Sequence, residues 1–251
     1  MLDRALACSV KGQSIADVPV GAFLSGGIDS SAVVAFYQQQ SPLPVRTVTI
    51  GFEQSHFNEA DHARAVARHL GTVHHEQMVT AQDAAEVIPR LPAMFDEPFG
   101  DSSAIPTFLV SRFAREHVTV ALSGDGGDEL FAGYGRYREA LALWQTLRRM
   151  PVAARRAGAR LLGRVPFGVW SAADALLGTS ARNPRSGKIL KGLRIAGSVR
   201  TFDDLYCAYL DQWPGEPSPA TGVASNLDFP LDPGFDASPA LTMTYCDAMS
   251  Y

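Results

Sequence analysis

Val18-Pro19-Val20-Gly21-Ala22-Phe23-Leu24-Ser25-Gly26-Gly27-Ile28-Asp29-Ser30 is the stretch that decides the fold. Its apolar run, Val18 to Leu24, ends abruptly in Ser25-Gly26-Gly27. A helix-compatible segment, Ile28 to Gln40, follows until Ser41-Pro42-Leu43-Pro44 stops it. A strand feeding a Gly-Gly turn into a helix N-terminus makes an anion site: the turn exposes unobstructed backbone N–H groups, and the helix dipole adds positive potential. The Ser25 and Ser30 hydroxyls can donate to phosphate oxygens. Asp29 is the informative residue. A carboxylate beside phosphates is repulsive unless a cation sits between them, so its presence implies Mg²⁺. The loop has no lysine and no Gly-Lys-Ser/Thr ending, so it is not a Walker A loop, and the GxGxxG dinucleotide fingerprint is absent. The bland reading is a tight strand-to-helix turn capped by Asp29.

Outward from this stretch, strand and helix patterns alternate. Arg46 to Phe52 reads as a strand and Asn58 to Leu70 as a helix, with Asn58 as N-cap and Gly71 as C-cap. Thr72 to Val79 reads as a strand, Ala81 to Leu91 and Thr107 to Glu116 as helices, and Val118 to Leu122 as a buried strand that also ends in Ser-Gly, Ser123-Gly124. This spacing implies βαβ units: an α/β fold with a doubly wound parallel sheet. Right-handed crossovers put the loops after the strands on one edge, where ligands bind. The two Ser-Gly loops are therefore expected to face the same crevice. The domain reading is an N-terminal helix or linker over 1–17, a nucleotide-binding domain over 18–140 and a helical C-terminal extension over 141–251. The Arg-rich helical stretch Glu139 to Leu177 leads into the extension, which contains a Pro-rich loop, Trp213 to Leu241.

The second motif is Ser123-Gly124-Asp125-Gly126-Gly127-Asp128-Glu129. Its glycines let the backbone approach a ligand closely. Its carboxylates repel one another unless a metal or other positive charge offsets them. The bland alternative is a solvated acidic turn that starts a helix at Glu129.

Composition excludes several classes. The net charge of −4 gives no pull toward nucleic acid or an anionic membrane, and no apolar run approaches a bilayer span. Cys8, Cys207 and Cys246 are odd in number and form no CxxC, which fits a reducing, cytoplasmic compartment. Arg148, Arg149, Arg155, Arg156, Arg160 and Arg164 read as a solvated helix face rather than an RNA site, since no aromatics interleave them. His74 and His75 lie on a strand and point to opposite faces, without a third metal ligand. Tyr134 and Tyr137 fit core packing or a place near a nucleotide equally well.

The chain resembles the PP-loop ATP-pyrophosphatase (synthetase) domain of glutamine-hydrolysing asparagine synthetases. The resemblance rests on Val20 to Ser31, Phe57-Asn58-Glu59, Asp96 to Ser103 and Ser123 to Gly133, in the family's order, and is dense from Val18 to Tyr137. It implies a Rossmann-like fold and an ATP- and Mg²⁺-dependent ligase: ATP adenylates the aspartate side-chain carboxylate, pyrophosphate leaves, and ammonia attacks to give asparagine and AMP. By resemblance, the backbones of Leu24 and Ile50 hold adenine. Ser25, Gly26, Gly27, Asp29 and Ser30 form the pyrophosphate and Mg²⁺ loop, and Ser123 and Gly124 make a second nucleotide contact. Asp125 stands where many members have Glu, at a position tied to forming the acyl-adenylate. Asp128 is a carboxylate near metal and substrate, so Asp29 and Asp128 are the expected metal ligands and Asp125 and Asp128 the expected catalytic acids.

Departures from the family shape further expectations. Leu2 follows Met1 and Cys8 lies in a helical pattern, so this chain is not expected to hydrolyse glutamine; a glutaminase domain or subunit is an implied partner. Met243 to Tyr251 resembles the segment before the family's lysine-bearing block, and Lys188 and Lys191 lack a matching context. The chain thus reads as the middle of a longer protein that binds Mg-ATP but turns over poorly. The alternatives are a related amidotransferase acting on another carboxylate, in surface-polysaccharide or secondary metabolism, and a nucleotide-binding fragment without turnover.

Overall fold

The structure, a computed structural model, describes residues 1–53, 58–96, 100–165, 169, 192, 195–210 and 238–250. Phe57, Glu97 to Phe99, Lys188, Lys191, most of the Arg-rich segment beyond Val165 and most of the Pro-rich stretch lie outside them. The chain divides into two compact units, Met1–Gly127 and Asp128–Tyr251. The expected nucleotide-binding span, 18–140, includes residues of both.

In the first unit β1 (Val20–Phe23), β2 (Arg46–Phe52), β3 (Val73–Val79) and β4 (Val120–Leu122) form a four-stranded sheet in the order β3-β2-β1-β4, and its pairings are all parallel. Side chains alternate across the strands. Ala22, Leu24 and Leu122 pack with Val10 of α1 (Leu2–Gln13), Val34 of α2 (Ile28–Gln40) and Ala63 and Ala67 of α3 (Ala60–Leu70). On the opposite face Val48 packs with Ala114 and Val118. Val79 packs there with Val87 of α4 (Ala81–Val87) and with Leu109, which like Ala114 belongs to α6 (Ala104–Ala114). Helices on both faces make this the expected α/β doubly wound sheet.

Element boundaries depart from the sequence reading where local chemistry intervenes. Asn58 is not the N-cap of α3: Glu59 takes that place, and the Asn58 Oδ1 accepts from the Ala60 N–H at 3.2 Å, an Asx turn one step earlier. Gly71 does end the helix, at φ +72°. The helical stretch from Ala81 breaks into α4, a 3₁₀ turn over Ile88–Arg90 and α5 (Leu91–Met94), because Pro89 and Pro92 each remove a helical donor. α6 starts ahead of Thr107 because Pro106 sits in its first turn, where no N–H is needed.

The two strand histidines do point to opposite faces. His74 Nδ1 lies 2.9 Å from the buried Thr47 Oγ1. The His75 ring stacks on His117, with centroids 3.7 Å apart and planes at 12°, and Phe113 meets His117 edge-on at 5.0 Å. Arg46 donates to the His117 carbonyl at 3.1 Å. Burial lowers the pKa of both strand histidines. For His75 the neighbouring His117 and Arg46 lower it further; for His74 Arg64 and His75 lower it while Glu76 opposes. Between those lowered values and the unfolded value of about 6.5 the unfolded chain binds more protons, so stability falls as pH falls through that window and levels off below it. The thermal midpoint is therefore expected to drop on acidification from pH 7.5 to 5.5, and a His75→Phe chain is expected to drop less. Equal pH slopes for the two chains would show that the stacked ring carries no protonation penalty.

The described elements of the second unit are helices. α7 (Gly127–Phe131) enters it, followed by α8 (Gly135–Leu147), α9 (Val152–Gly163, after the break at Pro151), α10 (Phe202–Leu210) and α11 (Pro239–Ser250). Its core joins Tyr137, Ala140 and Leu147 of α8 to Leu205 and Tyr206 of α10 and to Met243 and Cys246 of α11. The arginine cluster is not a uniformly solvated face. Arg155 is buried and donates to the carbonyls of Ala196 and Val199 at 3.1 and 2.9 Å, and Arg156 donates to that of Gly197 at 3.1 Å. These guanidiniums satisfy carbonyls at the end of a helical turn.

Candidate active site

The loop after β1 is built around four polar contacts and one left-handed glycine. Gly26 has φ +81°, and a Cβ there would lie 2.6 Å from the Ala63 backbone nitrogen. Only glycine fits both the conformation and the space. The Ser30 hydroxyl is turned inward: it lies 3.0 Å from Ser25 Oγ, accepts from the Ser25 N–H at 3.2 Å and donates to the Gly27 carbonyl at 3.3 Å. The sequence reading aimed this hydroxyl at a phosphate; the structure uses it to close the loop. Ser25 Oγ in turn accepts from the Gly27 N–H at 3.3 Å.

α2 begins at this loop with Gly27 as N-cap and no side-chain cap on its first turn. Its N-terminal N–H groups, including those of Ile28 and Asp29, are left for water or a ligand. Asp29 is not a cap. It lies inside the first turn and is half-buried, and its carboxylate makes no hydrogen bond or ion pair among the described residues. A half-buried carboxylate beside uncapped N–H groups is the arrangement a bound phosphate with its cation would complete.

The loop after β4 comes to the same place. A Cβ on Gly124 would lie 2.7 Å from the Ser30 backbone nitrogen and 3.0 Å from the Asp29 carbonyl carbon. A Cβ on Gly127 would lie 2.6 Å from Asp29 Cγ and 2.8 Å from its Oδ2. Two glycines of the second motif thus press bare Cα atoms against the start of α2, and the expected convergence of the two Ser-Gly loops is present within the first unit. Gly126, at φ +88°, makes the turn between them. Ser123 and Asp125 are exposed, and the Asp125 N–H donates to Ser123 Oγ at 3.3 Å.

Leu24 and Ile50 contribute their side chains to opposite faces of the sheet core, so only their backbones are available to a ligand. Asp128 belongs to the second unit, where the Gly133 N–H donates to its carbonyl at 3.0 Å. There Glu129 is buried and accepts a hydrogen bond from the Tyr134 hydroxyl, a contact the sequence reading missed. Spacing gave no signal for it beyond a tyrosine five residues from an acid. Among the described residues no three His, Cys, Asp or Glu side chains gather as a metal site. Magnesium held largely by nucleotide phosphates needs only one or two carboxylates from protein, so Asp29, beside the uncapped start of α2, fits that use. No helix among the described residues is long and apolar enough to cross a membrane.

The asparagine synthase family profile matches residues 1–204. The chain is 46% identical over 127 residues to the glutamine-hydrolyzing asparagine synthetase 1 of Bacillus subtilis, a match covering 51% of this chain and 20% of that protein. It is 42% identical over 154 residues to the putative glutamine-hydrolyzing asparagine synthetase 2 of Methanocaldococcus jannaschii, covering 61% and 30%. With the glutamine-hydrolyzing asparagine synthetase B of Escherichia coli it shares 33% identity over 157 residues, covering 55% and 28%. The matched region thus spans a third or less of each of these relatives. With a profile match across most of its length, over the loops just described, the chain belongs to the asparagine synthase family.

Proposed function

We propose that this chain is the ATP-binding part of an amide-forming ligase, which adenylates the side-chain carboxylate of aspartate and passes the acyl group to ammonia. The observation that carries the reading is the seating of Gly124 and Gly127 on the first turn of α2, which closes two strand-end loops around uncapped N–H groups and the half-buried Asp29 carboxylate. In the first step a carboxylate oxygen attacks the α-phosphorus of ATP and pyrophosphate leaves. In the second, ammonia attacks the acyl carbon, AMP leaves as the better leaving group, and the nitrogen loses a proton.

The chain's own part is binding and orientation. In the loop Ser25 to Ser30, the uncapped backbone N–H groups at the start of α2, those of Ile28 and Asp29 among them, grip the pyrophosphate moiety. The backbones of Leu24 and Ile50 receive adenine, and Ser123 and Gly124 add a second nucleotide contact. Asp125 and Asp128 act at the acyl-adenylate stage. Asp29 and Asp128 would hold Mg²⁺, which supplies neutralisation of the charge that develops as pyrophosphate departs. A glutaminase domain or subunit is the proposed ammonia source. None of the three cysteines is in a disulfide, which suits a cytoplasmic setting.

The test is exchange of labelled pyrophosphate into ATP with Mg²⁺ and aspartate, beside an ATP-binding titration. Exchange above the control without aspartate is the expected result. Binding without exchange would move the acceptor to another carboxylate or leave only nucleotide binding, and absence of both would overturn the reading.

A further inference from the structure

The turn that follows Asp128 is closed twice. The Gly133 N–H donates to the Asp128 carbonyl at 3.0 Å, and the Tyr134 hydroxyl donates to the buried Glu129 carboxylate. Between these contacts Ala132 adopts φ +57°, a left-handed conformation that a residue with a Cβ resists. Both closures hold the chain in that conformation. A Cβ on Gly133 would overlap Asp128 Oδ1. The Asp128 carboxylate therefore rests on the bare Cα of Gly133, and the position of Gly133 limits where that carboxylate can turn.

Tyr134 is itself pinned. The Arg136 guanidinium lies 4.0 Å from the centre of its ring, and Arg136 pairs with Asp247 of α11. A cation over the ring face holds the ring while its hydroxyl reaches Glu129. The hydrogen bond to Glu129, then burial, raises the Tyr134 pKa well above the ordinary phenol value, so the hydroxyl stays a donor.

The geometry points to Tyr134 as a positioning residue that, through Glu129 and the Asp128–Gly133 turn, fixes the orientation of the Asp128 carboxylate for the cation that accompanies ATP. This rests on the proposed role of Asp128 as a metal carboxylate. Groups that orient a metal ligand without touching the metal typically change metal affinity by about 10- to 100-fold when removed.

The probe is Mn²⁺ with saturating ATP, its protein-bound fraction read by electron paramagnetic resonance on the full chain, alongside thermal melts. Tyr134→Phe keeps the ring beneath Arg136 and loses only the hydroxyl. It is expected to bind Mn²⁺ about 10-fold more weakly at a temperature where the melt shows it folded. A purely structural hydroxyl would lower the melting temperature and leave Mn²⁺ affinity at the parent value, and that result overturns the proposal. Should Tyr134→Phe not fold, Gly133→Ala carries the test: its Cβ displaces the Asp128 carboxylate and leaves the phenol in place, and parent-like Mn²⁺ affinity there would equally overturn it. A parent chain that binds Mn²⁺ no better than Asp128→Asn would remove the metal role of Asp128, and the positioning role with it. A parent that binds, with Tyr134→Phe indistinguishable from it, removes the positioning role alone.

Discussion

Gly124→Ala is expected to reduce aspartate-dependent pyrophosphate exchange by about 100-fold and to weaken ATP binding with it, while the chain stays folded. The added Cβ would lie 2.7 Å from the Ser30 nitrogen and 3.0 Å from the Asp29 carbonyl carbon. Both are backbone atoms of the first turn of α2, so no side chain can swing aside. Either the second loop lifts off the helix or the helix start moves, and a reactive geometry displaced by about an ångström loses roughly that factor. Gly12, in α1, supplies the control, because a Cβ there meets nothing within 4 Å. Gly12→Ala is expected to leave exchange intact and to add up to about 1 kcal/mol of stability from helix propensity. A Gly124→Ala chain with parent-like ATP affinity and exchange would mean that the two loops do not share the ligand.

The seating of these loops was legible because it follows from short-range pattern plus topology. β2 spans Arg46–Phe52 and α2 spans Ile28–Gln40, both as read from apolar runs and their stops. Two parallel strands ending in Ser-Gly must present those loops on one edge. Pattern alone did not give the direction of the Ser30 hydroxyl. A hydroxyl one turn into a helix can face a ligand or its own loop, and only the inward fold of Ser25 and Gly27 decides which. The split of the helix after Thr80 was encoded in Pro89 and Pro92 and could have been taken from them.

Contacts between residues far apart in the chain left no trace in periodicity. His75 and His117 meet across 42 positions, and Arg155 reaches carbonyls 41 and 44 positions away. The same holds for the buried polar centre of the second unit. Tyr137, weighed from sequence as either core or nucleotide contact, turns out to be core; its hydroxyl has a buried partner 110 residues on.

That partner is Asp247, and replacing it is expected to cost the second unit much of its stability. Its carboxylate, only 4% exposed on α11, accepts from Arg136 and Tyr137 of α8 and from Tyr206 of α10. One side chain thus ties three helices. Asp247→Ala would leave a partly buried guanidinium, whose Nε has no partner among the described residues, and two buried phenols without their Asp247 acceptor. Breaking a buried pair from one side costs about 3–5 kcal/mol, and each orphaned hydroxyl adds about 1–3. The terms are not additive, so a loss of at least about 4 kcal/mol is expected. The chain's three tryptophans, Trp144, Trp170 and Trp213, all lie in Asp128–Tyr251, so intrinsic fluorescence during urea unfolding reports on that unit. Its midpoint is expected to fall sharply in Asp247→Ala. Removing every polar member together, as Asp247→Leu with Arg136→Met, Tyr137→Phe and Tyr206→Phe, is expected to recover much of the loss, because no charge or hydroxyl is then stranded. A shift below about 1 kcal/mol in Asp247→Ala would place the carboxylate outside the buried centre. A quadruple variant no better than the single one would mean that the polar contacts themselves, and not the cost of orphaning them, hold the three helices together.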